Sequence, residues 1–464
     1  MKRLLKRILT LCLLFALTVP AAARAADAPI RIAFIDSGIS TKHIDPARVA
    51  QGKNYVFPES DTQDRIGHGT ATAGLVLGAA EQGVVGVCPD AVAVPLVVVD
   101  VYPSGVVKNG GSPALCQAIR DAVDEYGCRI INISLASLED SQELRDAAAY
   151  AERMGTVIVT AVGNDGENGR ICYPAAYETA VSVGAADGRS AAAFSQRGAD
   201  VLAEGVKLRT ATNKSGDAPA VVSGTSYSCA VISGICARIC AAYPDISPAE
   251  TRRGLYALAT DILEPGFDAE SGWGLVPADT GIPTPYLDVP GKLWSSPAVR
   301  YVTERGVMNG TGGGMFTPEG RMTRAMFAAV LYRIAGEPET AGGNPFTDVS
   351  DGRWYTDAVI WAAGEGIIGG YGDGRFGADD PVTREQLVTL LWRCIGKPAA
   401  EDADLSAFAD ADQIGDWAAD AMAWAVGAGI LNGRDGGMLA PKDTAARAEV
   451  AALIQRFCEK SGAA

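Results

Sequence analysis

The sequence predicts an α/β domain on a mainly parallel sheet, followed by a mainly α-helical bundle of three repeated units. Three observations carry this prediction. From residue 28 to 281, apolar β-branched runs alternate with segments whose apolar residues recur at helical spacing, the pattern of a parallel sheet covered on both faces. The alternation stops at "IPTPYLDVPGK" (282–292), a proline-rich stretch that reads as a linker. Beyond it one pattern occurs three times, over 288–340, 346–398 and 408–464, and units that bury little alone are expected to stack. At 464 residues the chain is too long for one ordinary core.

The first residues differ from the rest. Lys2, Arg3, Lys6 and Arg7 precede an apolar run over 8–19, and "PAAARAADAP" (20–29) supplies small residues. A basic head, a short apolar run and an Ala-x-Ala site make residues 1–25 an export signal, cleaved after Ala25 or, alternatively, after Ala23. The run falls short of the roughly 20 residues that span a bilayer, so no membrane association is expected after cleavage. Leu11 before Cys12 is not small, which argues against a lipid anchor there.

The formal charge is −15, and loss of the five basic residues Lys2, Arg3, Lys6, Arg7 and Arg24 leaves −20. That balance argues against nucleic acid or anionic membrane as a partner of the whole surface. Ten cysteines less Cys12 leave nine, an odd number with no C-x-x-C pair, so thiols rather than a disulfide framework are expected.

Within the first domain the strands are "IRIAFID" (30–36), "AVAVPLVVVD" (91–100), "CRIINISL" (128–135), "TVIVTAVGN" (156–164) and "AVSVGAAD" (180–187). The helices between them include 112–127 and 140–155, each ending in the glycine that suits a left-handed C-cap. A further helical run, "VISGICARICAAY" (231–243), puts Cys236 and Cys240 on one face as small packing residues. Functional groups in such sheets gather at the carboxyl ends of strands, where Asp36 and Asn164 fall.

Four side chains form a chemical set. Asp36 lies in "DSG", His68 in the glycine-flanked loop "GHGT", Asn164 in "VTAVGN" and Ser226 in "SGTSYSCA". A serine hydroxyl becomes a useful nucleophile when a base takes its proton, and imidazole does so near neutral pH. A carboxylate fixes the imidazole tautomer and steadies the imidazolium. An amide donor meets a developing oxyanion. Singly, three of them have a plainer reading, Asp36 or Asn164 as a turn former and Ser226 as a helix cap, whereas His68 has none, since glycine-flanked loops rarely need imidazole. Only two histidines occur, and His43, in the polar turn "STKHID", is the rival base.

"IDSGI", "GHGTATAG", "AVGNDG" and "SGTSYSCA" resemble the four signatures of subtilisin-like serine peptidases (subtilases), in family order. That order, Asp then His then Ser, is the one known for subtilisin itself. "INISLAS", "CYPAAYETAVSVGAAD", "AAFSQRGADVLAEG" and "SGWGLVPAD" extend the resemblance over about 30–279. The resemblance implies a subtilisin-like three-layer domain over 28–281, with Asp36, His68 and Ser226 as the triad and Asn164 as the oxyanion residue. It also implies that Ser134, Leu135 and Ala136 form the strand that pairs with substrate, and that Cys172 lies near the floor of the primary pocket. A neutral, medium-sized side chain before the scissile bond follows from that floor. Many relatives carry a histidine where this chain has Ala71 and a proline where it has Ala230; neither position belongs to the triad. At most about ten residues separate the signal from the first strand, so the resemblance leads one to expect unaided folding or help from another protein in place of a prodomain. No cofactor is expected for catalysis. No acidic cluster has EF-hand spacing, while relatives often hold structural calcium through loop carbonyls.

The repeats resemble S-layer homology domains, the wall-anchoring modules of bacterial surface proteins. Trp294, Trp354 and Trp417 open the copies, and are expected in the core. Arg324, Arg384 and Arg447 recur at intervals of 60 and 63 residues, in "TRAM", "TREQ" and "ARAE". The resemblance implies that these arginines grip an anionic, pyruvylated cell-wall glycan, a role suited to the planar guanidinium fork. Loss of the acidic residue in the first copy and its amidation in the second predict unequal sites. Three weak sites acting together would attach the chain firmly.

The leading expectation is therefore an exported serine endopeptidase tethered to a bacterial cell wall, acting on polypeptides at the cell surface. One alternative is a catalytically inactive subtilase-fold scaffold whose function is wall or partner binding. Another is a dedicated processing peptidase for one secreted peptide.

Overall fold

The computed structural model describes residues 29–135, 139–216, 218–283, 285–291, 293–340, 342–399, 404–434 and 437–460. The expected export signal and both cleavage sites lie outside the described residues, as does Ala136. The described chain separates into two compact units between Ile282 and Pro283.

The first unit is built on one mainly parallel sheet. Its strands are β1 (Arg31–Asp36), β2 (Lys53–Asn54), β3 (Val92–Val97), β4 (Ile130–Ile133), β5 (Val157–Ala161), β6 (Ala180–Asp187), β7 (Ser190–Ala191) and β8 (Val201–Glu204). The order across the sheet is β8-β6-β5-β4-β1-β3-β2, all parallel, with the short β7 antiparallel against β6. β4 and β5 are buried throughout, as a sheet with helices on both faces requires. Helices α1 (His68–Leu77), α2 (Gly111–Asp124), α3 (Gln142–Arg153), α4 (Thr225–Ala242) and α5 (Pro248–Leu258) provide that cover. α2 and α3 pack on each other over one face of the sheet. α4 packs with α1 and along β4, β5, β6 and β8. Ser141 opens α3 by accepting from the Leu144 N–H at 3.2 Å, and Ser247 with Glu250 forms a reciprocal capping box on α5.

Two expectations need correction. The run 91–100 is not one strand: β3 ends at Val97, and Val99–Val101 pairs antiparallel with Val107–Asn109 in a separate hairpin. The break follows from hydrogen bonding, since the Val98 N–H still reaches the Asp36 carbonyl (3.0 Å) while its own carbonyl accepts from Gly110 (2.8 Å). Second, His68 does not lie in a loop but opens α1. Every later residue of α1 is buried, so the helix has no polar face and no amphipathic period to betray it. Cys236 and Cys240 are buried on α4 as packing residues, and the nine described cysteines are all thiols.

The second unit holds the three copies. The first contributes α6 (Ser296–Glu304) and α7 (Arg324–Ile334), the second α8 (Thr356–Gly364) and α9 (Arg384–Cys394), and the third α10 (Ala419–Gly427) and α11 (Arg447–Lys460). The packing is cyclic: α7 against α8, α9 against α10, and α11 back against α6. Isolated β-bridges between Thr323 and Pro381, Thr383 and Thr444, and Arg321 and Ala446 join the starts of the second helices in the same sense. One core cluster runs through all three copies. The opening tryptophans are not in it. Trp294, Trp354 and Trp417 are 59%, 61% and 52% exposed, because each precedes its helix instead of lying on the packed face. Trp361 and Trp424, within α8 and α10, are the buried ones.

Candidate active site

Asp36 is the last residue of β1, buried at the carboxyl end of the sheet. His68 reaches it from the first turn of α1, and the His68 Nδ1–H lies 2.8 Å from Asp36 Oδ1 and 3.0 Å from Oδ2. A carboxylate only accepts, so this contact fixes the proton on Nδ1 and leaves Nε2 as the basic nitrogen of the neutral ring. The Asp36 charge raises the His68 pKa above the usual imidazole value, against a lowering by burial. The Ser37 N–H also donates to Asp36 Oδ1, at 2.7 Å. Gly69 permits the approach: a Cβ there would stand 2.2 Å from the Gly38 carbonyl oxygen and 3.2 Å from the Asp36 Cβ.

Ser226 is the second residue of α4, after Gly224 at φ +152°. Its hydroxyl donates to the Ser134 carbonyl at 3.2 Å and does not meet His68 here. To serve as a nucleophile it would have to turn toward Nε2, and catalytic hydrogen bonds often tighten only with substrate bound. Tyr227, the next residue, brings its ring to 5.6 Å from the His68 ring, which sets the two helix starts side by side. Asn164 follows β5 on an exposed loop. Its side-chain oxygen accepts from the Thr225 N–H (2.9 Å) and hydroxyl (3.1 Å), so its NH2 group is the part available beside Ser226.

The remaining expected site residues are placed as follows. Ser134 is buried just past β4, its hydroxyl donating to the Ser226 carbonyl at 3.2 Å. Leu135 is partly buried against the α2–α3 side of the core. Cys172 is buried, its N–H bonded to the Val162 carbonyl (3.3 Å) and its Sγ 4.0 Å from Gln196 Oε1, beneath the loop that carries Asn164. His43 contacts the Lys214 carbonyl at 3.0 Å through Nε2, apart from Asp36. Ala71 and Ala230 are buried packing residues. Among the described residues no three His, Cys, Asp or Glu side chains converge, so no carboxylate cage for calcium is formed by them.

The arginines of the repeats are neither solvated nor displayed. Arg324, Arg384 and Arg447 are 8%, 7% and 5% exposed, and each clasps backbone of another copy. Arg324 donates to the carbonyls of Phe376 (Nε, 2.8 Å) and Gly369 (Nη2, 2.9 Å). Arg384 does so with Leu439 (2.8 Å) and Asn432 (3.1 Å), and Arg447 with Phe316 (2.8 Å) and Asn309 (2.7 Å). The clasps close the ring of copies.

Two supports escaped sequence reasoning. Asp64 is buried four residues before His68 and accepts from Ser37 Oγ (2.9 Å), Ile66 N (2.9 Å), Gly67 N (2.7 Å), Thr70 N (2.8 Å) and Thr70 Oγ1 (2.6 Å). Ser37 Oγ in turn accepts from the Gly69 N–H at 3.0 Å, so one carboxylate locks the turn that presents His68. The five donors converge only in three dimensions; the sole linear signal is an acid just before "RIGHGT". Asn132 is the second. Buried in β4, it donates to Ser134 Oγ (3.0 Å) and accepts from Cys229 Sγ (3.3 Å) and Ser233 Oγ (3.0 Å), tying the strand end to α4 behind Ser226. Asp64→Ala is expected to destabilise the first unit by about 3–5 kcal/mol, the cost of breaking a buried charge-assisted network. It is also expected to lower kcat/KM about 10²-fold by misplacing His68. Urea unfolding followed alongside peptide hydrolysis checks both; full activity with normal stability would show that the turn holds itself.

An imidazole held by a carboxylate, a hydroxyl at a helix start and an amide beside it can carry out acyl transfer through a covalent ester. The subtilase family profile matches residues 27–274, and the S-layer homology domain profile matches 285–328, 345–388 and 407–451. Subtilisin DY of Bacillus licheniformis is 33% identical over 245 residues, 51% of this chain and 85% of that protein. Subtilisin Savinase of Lederbergia lenta is 34% identical over 254 residues, 54% of this chain and 89% of that protein. Exoglucanase XynX of Acetivibrio thermocellus is 33% identical over 172 residues, 36% of this chain but only 16% of the exoglucanase. Among solved structures, Sphericase aligns with a TM-score of 0.49 at 30% identity, over 54% of this chain and 91% of its own. The chain belongs to the subtilase family and carries three S-layer homology domains after its peptidase domain.

Proposed function

We propose that this chain is an exported serine endopeptidase that cleaves polypeptides outside the cell while its three C-terminal copies hold it on an anionic bacterial wall glycan. The observation that carries the catalytic part is the contact of His68 Nδ1 with both oxygens of buried Asp36. In the proposed reaction His68 Nε2 takes the Ser226 proton as Oγ attacks the scissile carbonyl. The tetrahedral oxyanion is met by the Asn164 NH2 group and the backbone N–H of Ser226 at the start of α4. His68 then gives its proton to the leaving amine, and water resolves the acyl-enzyme by the same route. No cofactor takes part, and calcium, if held, would be structural. Substrate backbone would pair along Ser134, Leu135 and Ala136 as an added strand. Cys172 would floor the pocket for a neutral, medium-sized side chain before the scissile bond. A pyruvylated glycan is the proposed ligand of the copies bearing Arg324, Arg384 and Arg447.

The test is to mix the secreted chain with purified cell walls, pellet them, and measure digestion of unfolded casein in both fractions. The proposal expects activity to pellet with the walls and to vanish in Ser226→Ala. Wall binding without any hydrolysis would favour the scaffold reading. Cleavage of one secreted peptide with casein untouched would favour a dedicated processing peptidase.

A further inference from the structure

The reaction proposed above leaves His43 without a role. It lies seven residues after Asp36, on the chain leaving β1, and its Nε2 donates to the Lys214 carbonyl at 3.0 Å. A carbonyl only accepts, so the ring proton is on Nε2. Nδ1 is shielded from solvent and has no hydrogen-bond partner among the described residues. Unlike His68, this ring meets no carboxylate; what it holds is a backbone group. Lys214 belongs to the connection between two antiparallel strands, Leu208–Thr210 and Ala220–Val222. Three side chains from elsewhere pin that connection by its carbonyls. Lys42 Nζ donates to Asn213 (3.0 Å), His43 to Lys214, and buried Gln82, shortly after α1, donates from Nε2 to Gly216 (3.3 Å) and Ala218 (3.2 Å).

The pinned hairpin touches both members of the proposed base–nucleophile pair. On one side it runs along α1. Asn213 Nδ2 donates to the Asp64 carbonyl (3.2 Å), ahead of His68, and a Cβ on Gly67 would stand 3.0 Å from Asn213 Oδ1. Gly67 is at φ +101°, so the amide packs on a position that favours glycine twice over. Further along α1, Thr210 Oγ1 donates to the Ala71 carbonyl (2.6 Å), and a Cβ on Gly74 would stand 2.6 Å from the Ala211 Cβ. On the other side, the strand Ala220–Val222 runs through Ser223 and Gly224 to Ser226, four positions after Val222. Ser223 Oγ accepts from the Lys207 N–H (2.8 Å) and the Gly224 N–H donates to the Gly205 carbonyl (2.9 Å), which ties this stretch down. Ser226 and His68 open different helices, so neither helix alone fixes their spacing. The hairpin is the connection they share, and Asn213 is where it meets the turn before His68.

We infer that this hairpin is the brace that sets the spacing of Ser226 and His68, with Asn213 and His43 as positioning residues. Asn213 holds the turn before His68, and His43 holds the loop that carries Asn213. The effect on catalysis rests on the endopeptidase reading; the hold on the turn does not. A misplacement of about 1 Å at a reacting group costs about 10²-fold in rate. The Asp64 network remains when Asn213 is lost, so a smaller loss, about tenfold, is expected of that change.

The test compares the purified whole chain with Asn213→Ala, His43→Ala and His43→Gln, in steady-state hydrolysis of one chromogenic peptide and in amide hydrogen exchange over residues 64–70. Asn213→Ala is expected to lower kcat about tenfold with KM within about twofold, at an unchanged melting temperature. It should also speed exchange of the Gly67, Gly69 and Thr70 N–H groups about tenfold. His43→Ala should move both readouts the same way by a smaller factor, about threefold. His43→Gln, whose amide can donate to the Lys214 carbonyl, should restore them. A lower melting temperature with kcat per folded molecule unchanged would show a merely structural role and overturn the inference. So would Asn213→Ala with parent-like kcat, whatever its exchange. Failure of His43→Gln to restore what His43→Ala loses would overturn the part assigned to His43. If the parent neither hydrolyses peptide nor takes a fluorophosphonate label, the endopeptidase reading fails, and exchange over 64–70 alone decides the brace. Parent-like exchange in Asn213→Ala then overturns it, and faster exchange upholds it.

Discussion

Asp36→Asn is expected to lower kcat about 10⁴-fold with little change in KM, the loss that follows when an amide presents the imidazole with the wrong tautomer. The asparagine can donate to Nδ1, which would move the ring proton to Nε2, where a base must be bare. The pH profile gives a second readout. In the proposed reaction neutral His68 is the active form, so kcat/KM should fall as pH drops through its pKa. That pKa lies above the usual imidazole value, chiefly because of the Asp36 charge, while burial pulls it down. Removing the charge leaves the burial effect, so the acidic limb of the residual activity should move to lower pH. Steady-state kinetics on one chromogenic peptide across the pH range would show both. A variant with near-normal kcat and an unmoved limb would mean that Asp36 is only a turn residue at the end of β1.

Asn164→Ala is expected to lower kcat about 10²–10³-fold and to leave KM nearly unchanged, since in the proposed reaction the lost donor serves the oxyanion and not the ground-state carbonyl. The structure sharpens the expectation. Asn164 Oδ1 accepts from both donors of Thr225, the residue before Ser226, so the side chain is held and its NH2 group needs little reorganisation to act. Asn164→Asp tests this hold separately: it keeps an acceptor for Thr225 but brings negative charge toward the oxyanion, and kcat should fall at least as far. A rise in KM with kcat preserved would place Asn164 in substrate binding instead.

The sheet and the pairing of His68 with Asp36 were legible because the relevant signals are local. β1, β4 and β5 are predominantly apolar runs, and Asp36 and Asn164 sit at or just past the ends of β1 and β5. What the sequence hid was of two physical kinds. α1 has small and apolar residues on every side, because it lies between the sheet and α4, so it carries no period and His68 reads as part of a loop. The other features depend on partners far away in the chain. The Arg324, Arg384 and Arg447 clasps reach carbonyls 52, 55 and 131 positions distant, and nothing adjacent to each arginine marks it as a buried tie between copies. Asp64 is similar on a smaller scale: its donors lie up to 27 residues off, on β1's exit and the first turn of α1. The opening tryptophans misled for the opposite reason, since their strict recurrence suggested a core role while their places before the helices leave them at the surface.

The central claim is that Ser226 is an activated nucleophile, and the most direct measurement is labelling of the purified chain by a serine-directed fluorophosphonate, beside Ser226→Ala of equal stability. The account predicts one equivalent of label on the parent, mapped to Ser226 by peptide mass, and none on the variant. A folded parent that takes no label, or one labelled equally in Ser226→Ala, would contradict it.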